Sequence, residues 1–91
     1  METSGSFGIT RRKRRKRLYL YLINDEYNTF DIVIYALQNV LPSCNVLLAE
    51  QFAQIVHNVG EVNLYSGFGN DVYIKYAQLQ KLGLNVDIRT K

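Results

Sequence analysis

One cysteine, one histidine and one proline are all that this chain of 91 residues has of each. A single thiol, Cys44, cannot close an internal disulfide, which points to a reducing compartment. One histidine and one cysteine cannot make a His/Cys zinc site. No apolar run approaches the ~20 residues that span a bilayer. The first ten residues lack the apolar core of a secretory signal. No glycine-rich loop follows a strand at the spacing that cradles a phosphate. Cys44 and His57 could suggest a nucleophile and its base, but the thiol falls just past Pro42 in a turn and no third group orients the pair. Adjacent Asp25 and Glu26 do not by adjacency make an acid/base couple. The expectation is a soluble cytoplasmic monomer that is not an enzyme, needs no cofactor or metal and does not enter a membrane.

What is there begins with an uneven charge distribution. The net charge is +3, yet Arg11 to Arg17 (RRKRRKR) holds seven of the eleven lysines and arginines. From Leu18 onward four bases face seven acids, so that part is net acidic. Residues 1–16, rich in Gly, Ser and Thr before the basic run, are expected to form a disordered extension, and 17–91 a single domain. The arm reads as a solvated tail, a nucleic-acid contact, a targeting signal or a leash for a partner. Polybasic arms bind phosphates, although no aromatic residue is interleaved here to stack on bases.

Hydropathy patterning gives the elements. Leu18 to Ile23 alternates leucines with tyrosines, as a strand with one buried face does. Asn24 to Asn28 is a turn, and Thr29 is a plausible helix N-cap. Phe30, Val33, Ile34, Leu37 and Leu41 make one apolar stripe of a helix over 30–41, which Pro42 ends. Asn45 caps a second helix over 46–58, with Leu48, Phe52, Ile55 and Val59 expected to face the core. Ala49, Ala53, Val56 and His57 form the neighbouring strip, and Gly60 stops the helix. Glu61 to Tyr65 is a strand and Ser66 to Gly69 a turn. A third helix, capped at Asn70, covers 71–82. Val72, Tyr76 and Leu79 are expected to be buried in it, with Ile74 and Lys75 pointing to solvent. Leu84 to Ile88 is the last strand. The order βααβαβ predicts an α+β domain in which a three-stranded antiparallel sheet packs against three helices.

The most informative stretch is Leu22-Ile23-Asn24-Asp25-Glu26-Tyr27, a strand running into an acidic turn, together with the helix ending Val56-His57-Asn58-Val59-Gly60. These pieces, their spacing and the element order resemble ClpS, the adaptor family of the Clp protease, in which an L-x-N-D-D/E-Y-T turn and a V-H-x-x-G helix end recur. The resemblance covers about Leu18 to Ile88. It implies an adaptor that binds proteins bearing a destabilising N-terminal residue (an N-degron) and delivers them to a AAA+ Clp unfoldase. Carried over, Asn24, Asp25 and His57 match the positions that receive the α-amino group. Phe30, Val33, Ala53, Val56 and Val86 match the pocket for the first side chain, beside Asn28. Lys75 matches a family lysine that meets the N-terminal domain of the unfoldase, and Ile74 beside it, expected to be exposed, favours an interface there. Departures from the family pattern are Phe30 and Ala53 where Met is common, Asn28 for Thr and Thr29 for Pro.

The chemistry of these side chains suits an amine. An ammonium offers three N–H donors; Asn24 can supply a carbonyl oxygen, Asp25 a carboxylate and neutral His57 a ring nitrogen. Two other readings stay open on sequence alone: a small nucleic-acid-binding protein that works through its basic arm, and an interaction domain of the ribosomal stalk type with a similar element order.

Overall fold

The computed structural model describes residues 16–90. The basic arm expected over 1–16 therefore lies, apart from Lys16, outside the described residues. The elements are strand β1 (Arg17–Ile23), helices α1 (Phe30–Val40) and α2 (Val46–Val59), strand β2 (Glu61–Phe68), helix α3 (Asn70–Lys81) and strand β3 (Val86–Thr90). Both strand pairings are antiparallel and the sheet order is β2-β1-β3, so β1 is central. The α+β class and the order of elements are as the patterning predicts.

Alternation decides why β1 takes the middle. Leu18, Leu20 and Leu22 are buried in one cluster with the inner faces of the three helices. Tyr19, Tyr21 and Ile23 point to the opposite face and stay half-buried. On that face the Arg89 guanidinium lies over the Tyr21 ring at 4.3 Å and reaches across the central strand to both oxygens of Glu61, at 2.8 and 3.0 Å. Asp87 also accepts from it at 3.2 Å. Opposite charges on the outer strands thus cover an aromatic ring on the inner one.

Several local expectations are corrected. The stretch Ser66 to Phe68 is not a turn: it continues β2, pairing with Tyr19, Leu18 and Arg17. The register shifts between Leu20, opposite Tyr65, and Tyr21, opposite Asn63, which leaves Leu64 as an extra residue in a bulge. The Asn63 side chain donates to the carbonyls of Leu20 (3.0 Å) and Tyr65 (3.2 Å) at that irregularity. The chain then turns at Gly69, whose φ of 64° is left-handed. Gly69, not Asn70, is the N-cap of α3, and no side chain caps that helix. At the other end of α3 the N–H of Leu84 bonds to Leu79 O at 3.1 Å. Leu84 is thereby committed to the helix end and β3 starts two residues later than expected.

The largest correction concerns the phase of α2. Its buried residues are Ala49, Ala53 and Val56, while Leu48, Ile55 and Val59 are exposed and Phe52 is half-buried. Ala36 on α1 is buried as well. Small side chains at the crossing let two helices approach closely, and the bulkier leucine and isoleucine are displaced to the flank. Phe30, expected in the core stripe of α1, is 38% exposed, whereas Val33, Leu37 and Leu41 are buried as expected. Lys75 does not point to solvent: its side chain lies over the Tyr65 ring at 4.6 Å and its Nζ pairs with Asp71 at 2.6 Å. Ile74 is exposed as predicted.

The phase of α2 is testable by stability. Ala49→Leu should overpack the helix crossing and cost about 1–3 kcal/mol. Leu48→Ala should cost under about 1 kcal/mol. Urea unfolding of both variants distinguishes this order from the reverse, which the Leu48-facing arrangement would give.

Candidate functional site

The end of β1 is fastened twice. Ile23 N–H donates to Asn85 O at 2.8 Å, and Asn24 N–H donates to Gly60 O at 2.9 Å. Gly60 is the C-cap of α2, with a left-handed φ of 105°, and its own N–H closes on Val56 O. The strand end is thus joined to the end of α2, where His57 sits in the last turn.

Between β1 and α1 the chain makes a turn organised by one carboxylate. Asp25 Oδ1 accepts from the backbone N–H of Tyr27 (2.9 Å) and of Asn28 (3.0 Å), and Oδ2 accepts from Asn28 Nδ2 (2.9 Å). Asn28 Nδ2 also donates to Gly83 O at 3.0 Å, tying the turn to the end of α3. Thr29 then caps α1, its hydroxyl accepting from Ile32 N–H as expected. Burial raises the Asp25 pKa, but the N–H groups of Tyr27 and Asn28 and the Asn28 amide together outweigh it. The carboxyl is held below its ordinary value. Asp25 remains a carboxylate, though most of its acceptor capacity is already used by its own turn.

These links enclose a cleft of about 320 Å³. Asn24, Asp25 and Asn28 line it from the turn, Phe30 and Val33 from α1, and Ala53, Val56 and His57 from α2. The Phe30 ring meets the His57 ring edge-on, with centroids 5.5 Å apart and planes at 76°. Among the described residues neither the Asn24 side-chain amide nor the His57 imidazole has a hydrogen-bond partner. A smaller recess of about 20 Å³ adjoins the cleft, sharing Asn24, Asp25, Val33 and Val56 and adding Leu22 and Leu84.

Of the nine residues the sequence assigns to the amine and side-chain positions, Val86 alone does not line the cleft. It is buried in β3 opposite Leu22. Leu84, expected to be part of the last strand, is the residue of that segment that reaches the adjoining recess. Glu26 and Thr29 also line the cleft, and sequence reasoning passed over them as site residues. Their position inside the turn, between two chosen neighbours, was the available signal. Ile74 and Lys75 lie on α3 and line neither cavity.

A family model described as the ATP-dependent Clp protease adaptor protein ClpS matches residues 13–86. The chain belongs to the ClpS family. No curated protein matches it. Among solved structures, ClpS2 of Agrobacterium tumefaciens bound to L-phenylalaninamide is similar, with a TM-score of 0.80. That match covers 86% of this chain and 100% of the other at 18% identity, a likeness of fold. ClpS is an adaptor family of the Clp protease, and this member shares its arrangement of three helices against one open sheet. Among the described residues no helix of this ClpS-family chain is long and apolar enough to cross a membrane.

The charge on Asp25 gives a pH-dependent expectation. Its folded pKa is depressed, so its contribution to stability is present above the unfolded value of ~3.9 and is lost as pH falls through the folded value. The gap in urea midpoint between the wild-type chain and Asp25→Asn should therefore be open at pH 6 and close below about pH 4. A gap independent of pH would show that the turn does not depend on the carboxylate charge.

Proposed function

We propose that the cleft receives the free N-terminal amine of a protein substrate, with the first side chain against Phe30, Val33, Ala53 and Val56. The observation that carries this reading is the convergence of Asn24, Asp25 and His57 on one cavity, the first and last with uncommitted polar atoms. An α-ammonium has a pKa of ~7.7–8.0 and is mostly charged at neutral pH. Asn24 Oδ1 and a ring nitrogen of neutral His57 accept two of its protons. Asp25 contributes chiefly its charge, since its lone pairs are largely engaged. The carbonyl end of the α2 dipole adds to the same potential. A cleft of about 320 Å³ falls at the small end of ligand pockets, a size for one residue rather than a folded peptide.

The ligand of Agrobacterium tumefaciens ClpS2, L-phenylalaninamide, combines a free amine with an aromatic side chain, the chemistry this cleft offers to receive. Phe30 in place of a flexible methionine and Ala53 in place of another narrow one side of the apolar wall and widen the other. Substrate held in this way would be delivered to a AAA+ Clp unfoldase in the cytoplasm by a monomeric adaptor. Exposed Ile74 beside Lys75 on α3 supplies the contact with the N-terminal domain of the unfoldase, and Asp71 holds the lysine in place.

Titration with short peptides beginning with Phe, Leu or Trp tests the reading. Free-amine peptides should bind and their N-acetylated forms should not; equal binding of the two would refute an amine socket. Asn24→Ala and His57→Ala should each weaken binding about ten-fold or more, since charge-assisted hydrogen bonds contribute roughly 1.5–3 kcal/mol.

A further inference from the structure

Seven of the eleven lysines and arginines stand in the run Arg11 to Arg17, and Arg17 is also the first residue of β1. By the alternation of the strand its side chain lies on the same face as Tyr19 and Tyr21, opposite the buried leucines. There its guanidinium lies over the Phe68 ring at 4.8 Å and donates to the Ser66 hydroxyl at 3.2 Å. Arg17 has no carboxylate partner among the described residues. Phe68, opposite Arg17 at the end of β2, is 37% exposed. A second stack on this face is Arg89 over Tyr21, with half-buried Tyr19 opposite Arg89 in the register. The three helices pack on the leucine face, so among the described residues no helix covers this one.

We infer that this open face of the sheet binds single-stranded nucleic acid, its bases stacked across the face and its phosphates held by the basic run. A stacking platform needs flat side chains standing out from one side of a sheet, and guanidinium planes serve as well as rings. Tyr19 and Tyr21 are two residues apart, ~7 Å along β1. Arg17 and Arg89 are each already held over a ring. The run itself carries no interleaved aromatic residue, and the face it leads onto supplies three. Charge sets the direction of the track. Arg89 is neutralised by Glu61 and Asp87, so it contributes a surface rather than a net charge. Glu61 stands opposite Ile23 and Asp87 opposite Tyr21, and carboxylates at that end repel phosphate. The backbone of the nucleic acid is therefore held at the Arg17 end, next to the run. None of these residues lines the amine cleft, so the two sites are separate. A duplex meets the run with its phosphates but keeps its bases paired and away from the rings.

The test uses the full chain and labelled single strands of DNA and of RNA of about 20 nucleotides, with the matching duplexes, read by fluorescence anisotropy. At least one single strand should bind more tightly than its duplex, and the tighter of the two identifies the sugar. Raising the salt should weaken binding, as counterion release requires. Tyr19→Ile combined with Phe68→Leu should weaken single-strand binding about ten-fold or more and leave duplex binding unchanged. Urea unfolding shows whether the pair keeps the fold; Phe68→Leu alone, at an exposed strand end, carries the test if it does not, with about a five-fold loss expected. Single-strand binding that these substitutions leave unchanged overturns the proposal and makes the run a general polyanion contact. Binding to vesicles of phosphatidylserine and phosphatidylcholine but to neither single strand overturns it in favour of a membrane surface.

Discussion

A backbone hydrogen bond from Asn24 N–H to Gly60 O joins the strand end that carries Asn24 to the helix end that carries His57. Asn24 follows the last residue of the central strand, and Gly60 ends the helix that carries His57. Each partner owes its position to something simple. The strand stops because Asn and Asp favour turns over ladder pairing. The helix stops because Gly60 adopts a left-handed conformation that costs other residues more. The joint depends on β2 starting immediately after the glycine and pairing back onto Ile23, so the sheet register and the site geometry are one constraint.

Asp25 organises the turn that lines the cleft, and in the proposed seating it would serve recognition as well. It binds two backbone N–H groups and a side-chain amide of its own turn, which keeps it ionised. Those same bonds limit what it can accept from a guest. In the proposed seating the directional hydrogen bonds to an ammonium would fall to Asn24 and His57, and the carboxylate would act mainly through its field. Asn28, by donating to Asp25 and to Gly83 O, locks the turn against the end of α3. The family pattern favours threonine at that position; the amide has two N–H donors for the two acceptors, where a hydroxyl would have one.

Much of this was legible in the sequence because it is local. The alternation of Leu18 to Ile23, the caps at Thr29 and Asn45, Pro42 after α1 and Gly60 after α2 are written in residues that act within four positions of themselves. The turn and the lone histidine were recognisable as a pair through their resemblance to a family, and the cleft gathers them. What was not legible depends on contacts distant in sequence. Hydrophobicity alone cannot say which stripe of α2 meets α1; leucine and isoleucine outweigh alanine on any scale, yet close helix packing selected Ala49 and Ala53. For the same reason the pattern places Ile55 in the core, although it is exposed. Gly67 and Ser66 look like turn residues until pairing with Leu18 and Tyr19 is known. Lys75 looks solvated until Tyr65 and Asp71, from the neighbouring strand and the preceding turn of α3, are placed around it. Val86 and Leu84 exchange roles because a helix-ending hydrogen bond delays the last strand.

The most direct test of the shared-guest geometry is a crystal structure of this chain with an amino acid amide that has a free amine. The account predicts one nitrogen within ~3.2 Å of both Asn24 Oδ1 and a His57 ring nitrogen, with the side chain against Val33, Ala53 and Val56. An amine lying outside this cleft, or bonded to Asp25 while Asn24 and His57 both remain unengaged, would contradict it.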